Sequence, residues 1–373
     1  MGLLKIEDIN TPALIIDLDL MEKNIETVAN FFKERDCKVR LHSKFCKTPI
    51  VAWKVLSAGG ARGICTAKIT EAEVMAAAGI DDILIANEIV SEQKIERLAR
   101  LSKWCNVKVA VDNPVNIVEL SNIAQVHATE VSVLVDINLS QFGSIDGALN
   151  RCGVLPGKDA LSLAKIVANT RGLKFRGLMG YEGSMSKYSF SFEKRKEVVN
   201  SVMKCLLATR DMIINEGIEV EIVSAGCTGD FNIVGAYPGV TEVQAGSYVF
   251  MDLFHEYDYG GVQFHKALTV LSTIISTPYP GRAIADVGLK GIIGTRGKMP
   301  EAKDVRGLEI ETLDFEHARL ILKDPSKEIR VGDRLEFYPY ECDDTVNLYD
   351  KIYAVRDGKV EAEWEITARG KSQ

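Results

Sequence analysis

The stretch Val39-Arg-Leu-His-Ser-Lys-Phe-Cys-Lys-Thr-Pro49 runs from an apolar alternation into a basic cluster and stops at a Thr-Pro helix start. Side chains on a strand alternate faces, so Arg40, His42 and Lys44 share one side and Val39 and Leu41 take the other. Cations arranged in this way belong where a barrel interior meets its mouth. A lysine held there among positive groups, partly desolvated, has the setting in which its pKa falls far enough to form an imine with a carbonyl compound. The competing reading of Lys44 is a solvated loop lysine.

Working outward, residues 12–17 read as a short buried strand, and residues 18–36 carry Met21, Ile25, Val28 and Phe32 at helical spacing. After the basic cluster, residues 48–58 read as a helix with Pro49 in its first turn, closed by Gly59 and Gly60. The beat then repeats. Strands are expected at 39–42, 63–66, 83–86, 107–111, 131–136, 175–179, 220–224 and 241–250, with amphipathic helices between most of them. Eight short apolar strands alternating with helices predict a (β/α)8 TIM barrel over residues 18–264. A doubly wound open sheet is the alternative, weakened because no Gly-x-Gly-x-x-Gly follows the first strand.

After Phe264 the rhythm changes to short β-rich runs at 268–276, 283–287, 308–313, 334–338, 351–356 and 360–366, with Asp357-Gly358 as a hairpin turn. A second, mostly antiparallel β domain made of residues 1–17 and 265–373 is expected. The 373 residues carry a net charge of −7, with basic residues scattered, which points to a small-molecule partner and away from nucleic acid. There is no signal-peptide pattern and no apolar run long enough to span a bilayer, so a cytoplasmic protein without membrane contact is expected. The eight cysteines lie singly, as reduced thiols do.

In a barrel, chemistry sits at the C-terminal ends of the strands. Ser224-Ala-Gly-Cys-Thr-Gly229 follows a strand there; its glycines let backbone N–H groups turn toward an anion such as a phosphate, with Ser224 and Thr228 adding hydroxyls. A plain turn is the competing reading. Arg151 follows the fifth strand and has the charge to balance an anion or a phenolic oxygen. In the β domain, Glu341 and Asp343 stand at i and i+2 of a segment read as extended, and so point the same way. Two carboxylates suit Mg²⁺ or Mn²⁺ better than Zn²⁺. A solvated acidic turn is the alternative for that pair.

Together these stretches resemble the pyridoxal-phosphate enzymes of the alanine-racemase-like fold (fold type III), in the branch of D-threonine aldolases and metal-dependent D-serine dehydratases. Arg40-Leu-His-Ser-Lys-Phe-Cys-Lys-Thr-Pro49 is similar to that branch's Arg-Pro-His-x-Lys-Thr-His-Lys-x-Pro, which carries the Schiff-base lysine onto Lys44 and makes Lys47 the second, non-catalytic lysine. Supporting matches are Asn150-Arg-Cys-Gly153, Tyr181-Glu-Gly183, the Gly226/Thr228/Gly229 turn, Gly246-Ser-Tyr-Val-Phe-Met-Asp252 and Thr345-Val-Asn-Leu348.

The resemblance implies pyridoxal 5'-phosphate on Lys44, with His42 and Arg151 beside the chemistry and Tyr181 near the pyridine ring. It implies a phosphate held by Ser224, Gly226, Cys227, Thr228 and Gly229, with Ser247 and Tyr248 among the cofactor contacts. It also implies a homodimer. Three departures stand out. Glu341 replaces the histidine of the branch's metal pair, Ser184 replaces the histidine of Tyr-x-Gly-His, and the loop over residues 138–149 is longer than usual. The expected activity is retro-aldol cleavage of 3-hydroxy-D-amino acids to glycine and an aldehyde. Elimination to a 2-oxo acid and ammonia, metal-independent racemisation, and a cofactor-binding regulatory protein are the alternatives.

Overall fold

A computed structural model describes residues 4–140, 151–181, 191–259, 263–295, 297–324 and 328–373. The chain enters through β1 (Ala13–Asp17) and turns at once into α1 (Leu18–Phe32), whose first turn is capped by the Asp17 carboxylate accepting from Leu20 N at 3.0 Å. Met21, Ile25, Val28 and Phe32 of α1 are buried, as their spacing requires. Then β2 (Lys38–His42), β3 (Ala61–Thr66), β4 (Asp82–Glu88), β5 (Asn106–Val111), β6 (Val131–Ile137), β7 (Leu173–Gly180), β8 (Ile222–Ala225) and β9 (Glu242–Val243) pair in parallel in that order. β9 pairs back onto β2, so the barrel is closed and the open-sheet alternative falls.

The helices on the outside include α2 (Pro49–Ala58), α3 (Ile69–Ala77), α4 (Glu92–Leu101), α5 (Pro114–Val126), α6 (Lys158–Ala168), α7 (Phe192–Asn215) and the short α8 (Phe231–Val234). Inside, Cys65, Leu84, Ala110, Leu134, Met179 and Ile222 form one packed apolar layer. The interior is therefore a filled core, and only its upper end is open to chemistry.

The eighth strand is far shorter than the apolar run over 241–250 suggests. Pairing stops at Val243, and Ser247–Val249 form a 3₁₀ turn. Gly246 explains the break: a Cβ there would fall 2.4 Å from the His42 carbonyl oxygen, so the chain crosses the end of β2 where only glycine fits.

After α9 (Leu253–Tyr259) the chain builds a second sheet from β10 (Leu268–Ser276), β11 (Arg282–Ala285), β12 (Glu301–Ala302), β13 (Leu308–Leu313), β14 (Ala318–Leu322), β15 (Arg334–Tyr338), β16 (Lys351–Arg356) and β17 (Lys359–Glu365). Its order is β11-β14-β13-β12-β15-β10-β1-β16-β17, and β11 also pairs with β10. The N-terminal β1 thus lies between β10, antiparallel to it, and β16, the one parallel neighbour. Between β15 and β16 sits α10 (Cys342–Val346), the piece of this sheet that reaches the barrel mouth. All eight cysteines are free thiols. Among the described residues no helix is long and apolar enough to cross a membrane.

Candidate active site

β2 ends at His42, and Ser43–Phe45 form a 3₁₀ turn pinned by Ser43 Oγ donating to the Cys65 carbonyl at 3.1 Å. Lys44 therefore leaves the strand and projects into the barrel mouth, where its Nζ lies 3.2 Å from Asp343 Oδ2. Its side chain is 48% exposed, but that surface faces a cavity walled by protein. The lowered lysine pKa expected from neighbouring cations is corrected here. The Asp343 carboxylate, outweighing the effect of burial, holds the Lys44 ammonium above its usual range. Nor does Arg40 stand beside Lys44. It is fully buried lower in the barrel, closed by Glu242 and Asp82. His42 is pushed down to about 3, by burial first and then by the Lys44 charge, so its imidazole is neutral. Its buried Nδ1 has no hydrogen-bond partner among the described residues. Lys47, the rival lysine, is buried, pairs with Glu71 at 3.3 Å, and accepts from Ala368 N through its carbonyl at 3.0 Å, which is a structural role.

The acidic segment is helical rather than extended: Glu341 is the N-cap of α10 and Asp343 sits in its first turn. Both side chains still border the cavity. What aims them is Asp252. One carboxylate oxygen, Oδ2, accepts from Cys342 N at 2.9 Å; the other, Oδ1, accepts from the His255 backbone N at 3.0 Å and lies 2.6 Å from His255 Nδ1. Burial opposes both charges, but the pair more than offsets it, so Asp252 is held below and His255 above its usual range.

Across the mouth, the segment after the long loop docks beside β6. Val154 N donates to the Asp136 carbonyl at 2.9 Å, Asn138 N to the Val154 carbonyl at 2.8 Å, and Gly153 N to Asp112 Oδ2 at 3.0 Å. This fixes Arg151, whose guanidinium lies 5.3 Å from the Tyr181 ring centroid, and Cys152. The donor atoms of Glu88, Asp136 and Cys152 all lie within 4.8 Å of one another. Burial, then the Glu88 charge, raises the Asp136 pKa; hydrogen bonding with Glu88 raises it further, and a bond from the Cys152 thiol opposes the rise. A buried carboxyl this close to a second acid holds its proton more tightly than a solvated one. Residues 141–150, most of the long loop, and 182–190, with Ser184, lie outside the described residues.

At the far wall is the glycine turn. Asp230 Oδ1 accepts from Cys227 N at 2.8 Å, and Thr228 Oγ1 accepts from Gly246 N at 3.2 Å and Tyr248 N at 3.3 Å. Of the residues assigned here from sequence, Cys227, Thr228 and Ser247 border the cavity. Ser224, Gly226, Gly229 and Tyr248 stand behind it: Ser224 Oγ accepts from Gln244 Nε2 at 2.9 Å, and the Gly229 carbonyl accepts from Arg195 at 3.0 Å. The Tyr248 hydroxyl is buried without a partner among the described residues.

The cavity has a volume of about 450 Å³. Lys44, His42, Arg151 and Tyr181 meet there with Glu341, Asp343 and the Cys227–Thr228 turn. Asn87 and Asp136, at strand ends where sequence reading expects functional residues, also line it, and so do His255 and Gln244, which that reading missed. For His255 a signal exists: an Asp-x-x-His spacing at a helix start, which puts the ring on its own cap.

Residues 16–253 match the alanine racemase N-terminal domain family, and residues 267–355 match the D-serine dehydratase domain family. A 3-hydroxy-D-aspartate aldolase of Paracoccus denitrificans is 35% identical over 98% of this chain and 93% of its own length. A D-threonine aldolase of Arthrobacter sp. is 34% identical over 98% of this chain and 94% of its own. The crystal structure of D-threonine aldolase from Filomicrobium marinum superposes with a TM-score of 0.93 at 34% identity, covering 100% of this chain and 99% of that one. With its closed barrel, its appended sheet and a lysine at the end of the first barrel strand, the chain belongs to the alanine racemase N-terminal domain family, beside the D-threonine and 3-hydroxy-D-aspartate aldolases.

Proposed function

We propose that this chain is a pyridoxal-phosphate lyase that cleaves 3-hydroxy-D-amino acids to glycine and an aldehyde. One observation carries the reading: the Lys44 amine, paired with Asp343 of α10 at 3.2 Å, opens into a cavity that Glu341 and the Cys227–Thr228 turn also line. Full-length likeness to two kinds of aldolase supports it.

The cavity fits the cofactor. It offers the Lys44 amine and the Cys227–Thr228 turn, held against Gly246 and Tyr248 through Thr228 Oγ1. About 450 Å³ leaves room for a substituted pyridine and a small amino acid. When bound, pyridoxal phosphate supplies a carbonyl for imine formation and a ring that accepts the electron pair left on Cα.

The chain's own residues do the rest. Lys44 holds the cofactor, and its partner Asp343 steadies the ammonium when the amine is released. Thr228, Cys227 and Ser247 border the phosphate end, with Ser224, Gly226, Gly229 and Tyr248 shaping the turn from behind. Arg151 and Tyr181, which lie against each other at the cavity, would stand beside the pyridine ring, and neutral His42 lines the cavity without adding charge. Glu341 and Asp343 offer oxygen ligands suited to Mg²⁺ or Mn²⁺ over Zn²⁺, and a cation there would polarise the substrate's β-hydroxyl. The active unit is further proposed to be a homodimer, on family resemblance; full activity from a monomer in light scattering would overturn that.

The test supplies the cofactor-loaded protein with a panel of 3-hydroxy-D-amino acids and identifies the products. Glycine with an aldehyde is expected, lost with chelator and restored by Mg²⁺ or Mn²⁺. A 2-oxo acid with ammonia would make the enzyme a dehydratase, and the L-enantiomer a racemase. Activity indifferent to chelator, Glu341→Gln and Asp343→Asn would remove the metal from the reading.

A further inference from the structure

We infer that Asp112, one residue beyond β5, is the positioning residue for Arg151 in the cleavage reaction; this rests on the lyase reading and deepens it. Arg151 is exposed, borders the cavity, and has the Tyr181 ring beside its guanidinium at 5.3 Å. A long side chain on a segment that returns from a long loop keeps one place only if its backbone is held, since ordering it costs conformational entropy.

The segment is held in two ways. Val154 is stitched to β6 by main chain alone: Val154 N donates to the Asp136 carbonyl at 2.9 Å, and Asn138 N donates to the Val154 carbonyl at 2.8 Å. Those bonds stop three residues short of Arg151. The next residue toward it, Gly153, has φ +100°, and a Cβ there would fall 2.6 Å from Asn138 N, so the chain lies hard against the end of β6 in a conformation that favours glycine. Its N–H is taken by a side chain, Asp112 Oδ2, at 3.0 Å from 41 positions away. The ties at Val154 would survive any residue at position 112. The tie at Gly153, the one nearer Arg151 and Cys152, depends on an acceptor there.

Asp112 is neither a helix cap nor half of an ion pair. The cap of α5 is its neighbour Asn113, whose Oδ1 accepts from Val115 N at 2.9 Å. Among the described residues the Asp112 carboxylate forms no salt bridge, and it is partly buried. Its bond to Gly153 N joins the end of β5 to the segment that carries Arg151 into the cavity wall. Displacing a group beside a reacting centre by about 1 Å costs up to about 10²-fold in rate.

Turnover and a thiol probe test the assignment. In the cofactor-loaded protein, Asp112→Ala should lower kcat/KM on a 3-hydroxy-D-amino acid by roughly 10- to 100-fold. Asp112→Asn keeps an oxygen that accepts from Gly153 N and should stay close to wild type. In an Arg151→Ala background, adding Asp112→Ala should cost no more than about 2-fold further, because the side chain it positions is gone. Without substrate, the Cys152 thiol, next to Arg151 and at the cavity, should react with a thiol reagent several-fold faster in Asp112→Ala than in wild type or Asp112→Asn, and adding Cys152→Ser should remove the difference. Unchanged kcat/KM in Asp112→Ala, Asp112→Asn no better than Asp112→Ala, losses that multiply in the double variant, or an equally slow Cys152 thiol would each overturn the assignment. Wild-type protein that leaves every 3-hydroxy-D-amino acid intact would instead sink the lyase reading, and the thiol comparison would still decide whether Asp112 holds the segment.

Discussion

The floor and the mouth of the barrel are built from the same kinds of charged side chain, and they treat them in opposite ways. On the floor, Arg40 gives Nε and Nη2 to the two oxygens of Glu242 at 2.7 and 2.8 Å, and Nη1 to Asp82 at 2.6 Å; Lys108 joins Asp82 at 3.0 Å. Two cations meet two acids, and the guanidinium is completely buried. Gly63 makes the space, since a Cβ there would sit 2.8 Å from Arg40 Nη1. At the mouth, among the described residues, Lys44 pairs with Asp343 alone and faces open space, Glu88 and Asp136 crowd two acids together, and buried polar atoms of His42 and Tyr248 have no hydrogen-bond partner. Closure of a charge network marks structure. A network left open, at the strand ends where a cavity begins, marks chemistry.

Breaking the mouth should therefore abolish function and spare the fold. Lys44→Ala should remove the visible absorbance of lysine-bound cofactor and cut turnover by roughly 10³-fold or more, while thermal stability moves by no more than about 1 kcal/mol, because the Lys44–Asp343 pair is half open to solvent. Lys47→Ala, which breaks a buried pair with Glu71, should show the reverse balance, with absorbance kept and stability reduced. Absorbance surviving in Lys44→Ala and vanishing in Lys47→Ala would reverse the assignment.

Breaking the floor should do the opposite. Arg40→Met strands Glu242, which is 0% exposed, and should cost about 3–5 kcal/mol in urea unfolding. Adding Glu242→Leu should recover a large part of that loss, since an apolar pair of similar volume needs no charge compensation. A double variant as unstable as the single one would mean that the floor network contributes more than charge closure.

The sequence made the barrel legible because each strand is a separate apolar run, and the lysine because it ends one of them. Its limits are equally physical. The run over 241–250 stays apolar past the point where pairing stops, and nothing local to it shows that Gly246 must pass beneath the His42 carbonyl. Reading Arg40 with Lys44 as one basic cluster failed because Glu242, 202 positions away, neutralises the first. Asp343, which raises rather than lowers the Lys44 pKa, comes from the other sheet altogether. The Glu88 and Asp136 carboxyls sit on different strand ends, so their proximity exists only once the barrel closes. His255 was within reach: its Asp-x-x-His spacing is local, but it followed a stretch read as a strand and not as a cap.

The smallest expected effect sharpens the contrast most directly, because it asks whether an open network carries a cost that a closed one does not. Asp136 is 4% exposed, and its pKa lies above the ordinary carboxylate value, through burial first and then the Glu88 charge. A carboxyl whose folded pKa exceeds its unfolded value binds its proton more tightly in the native state. The stability it contributes is therefore fully present below the unfolded pKa, about 3.9, and is lost as pH rises through the folded value. Asp136→Asn keeps the shape and can never ionise. Near pH 4 the variant and wild type should match to within about 0.5 kcal/mol, and near pH 8.5 the variant should be the more stable by about 1–3 kcal/mol. Cys152→Ala, by removing the thiol that steadies the charged form, should enlarge the pH-dependent loss in an otherwise wild-type chain. Urea unfolding at both pH values checks the sign. A variant with the same stability difference at both would show that Asp136 does not hold its proton above the ordinary carboxylate range, and the mouth would then be as settled electrostatically as the floor.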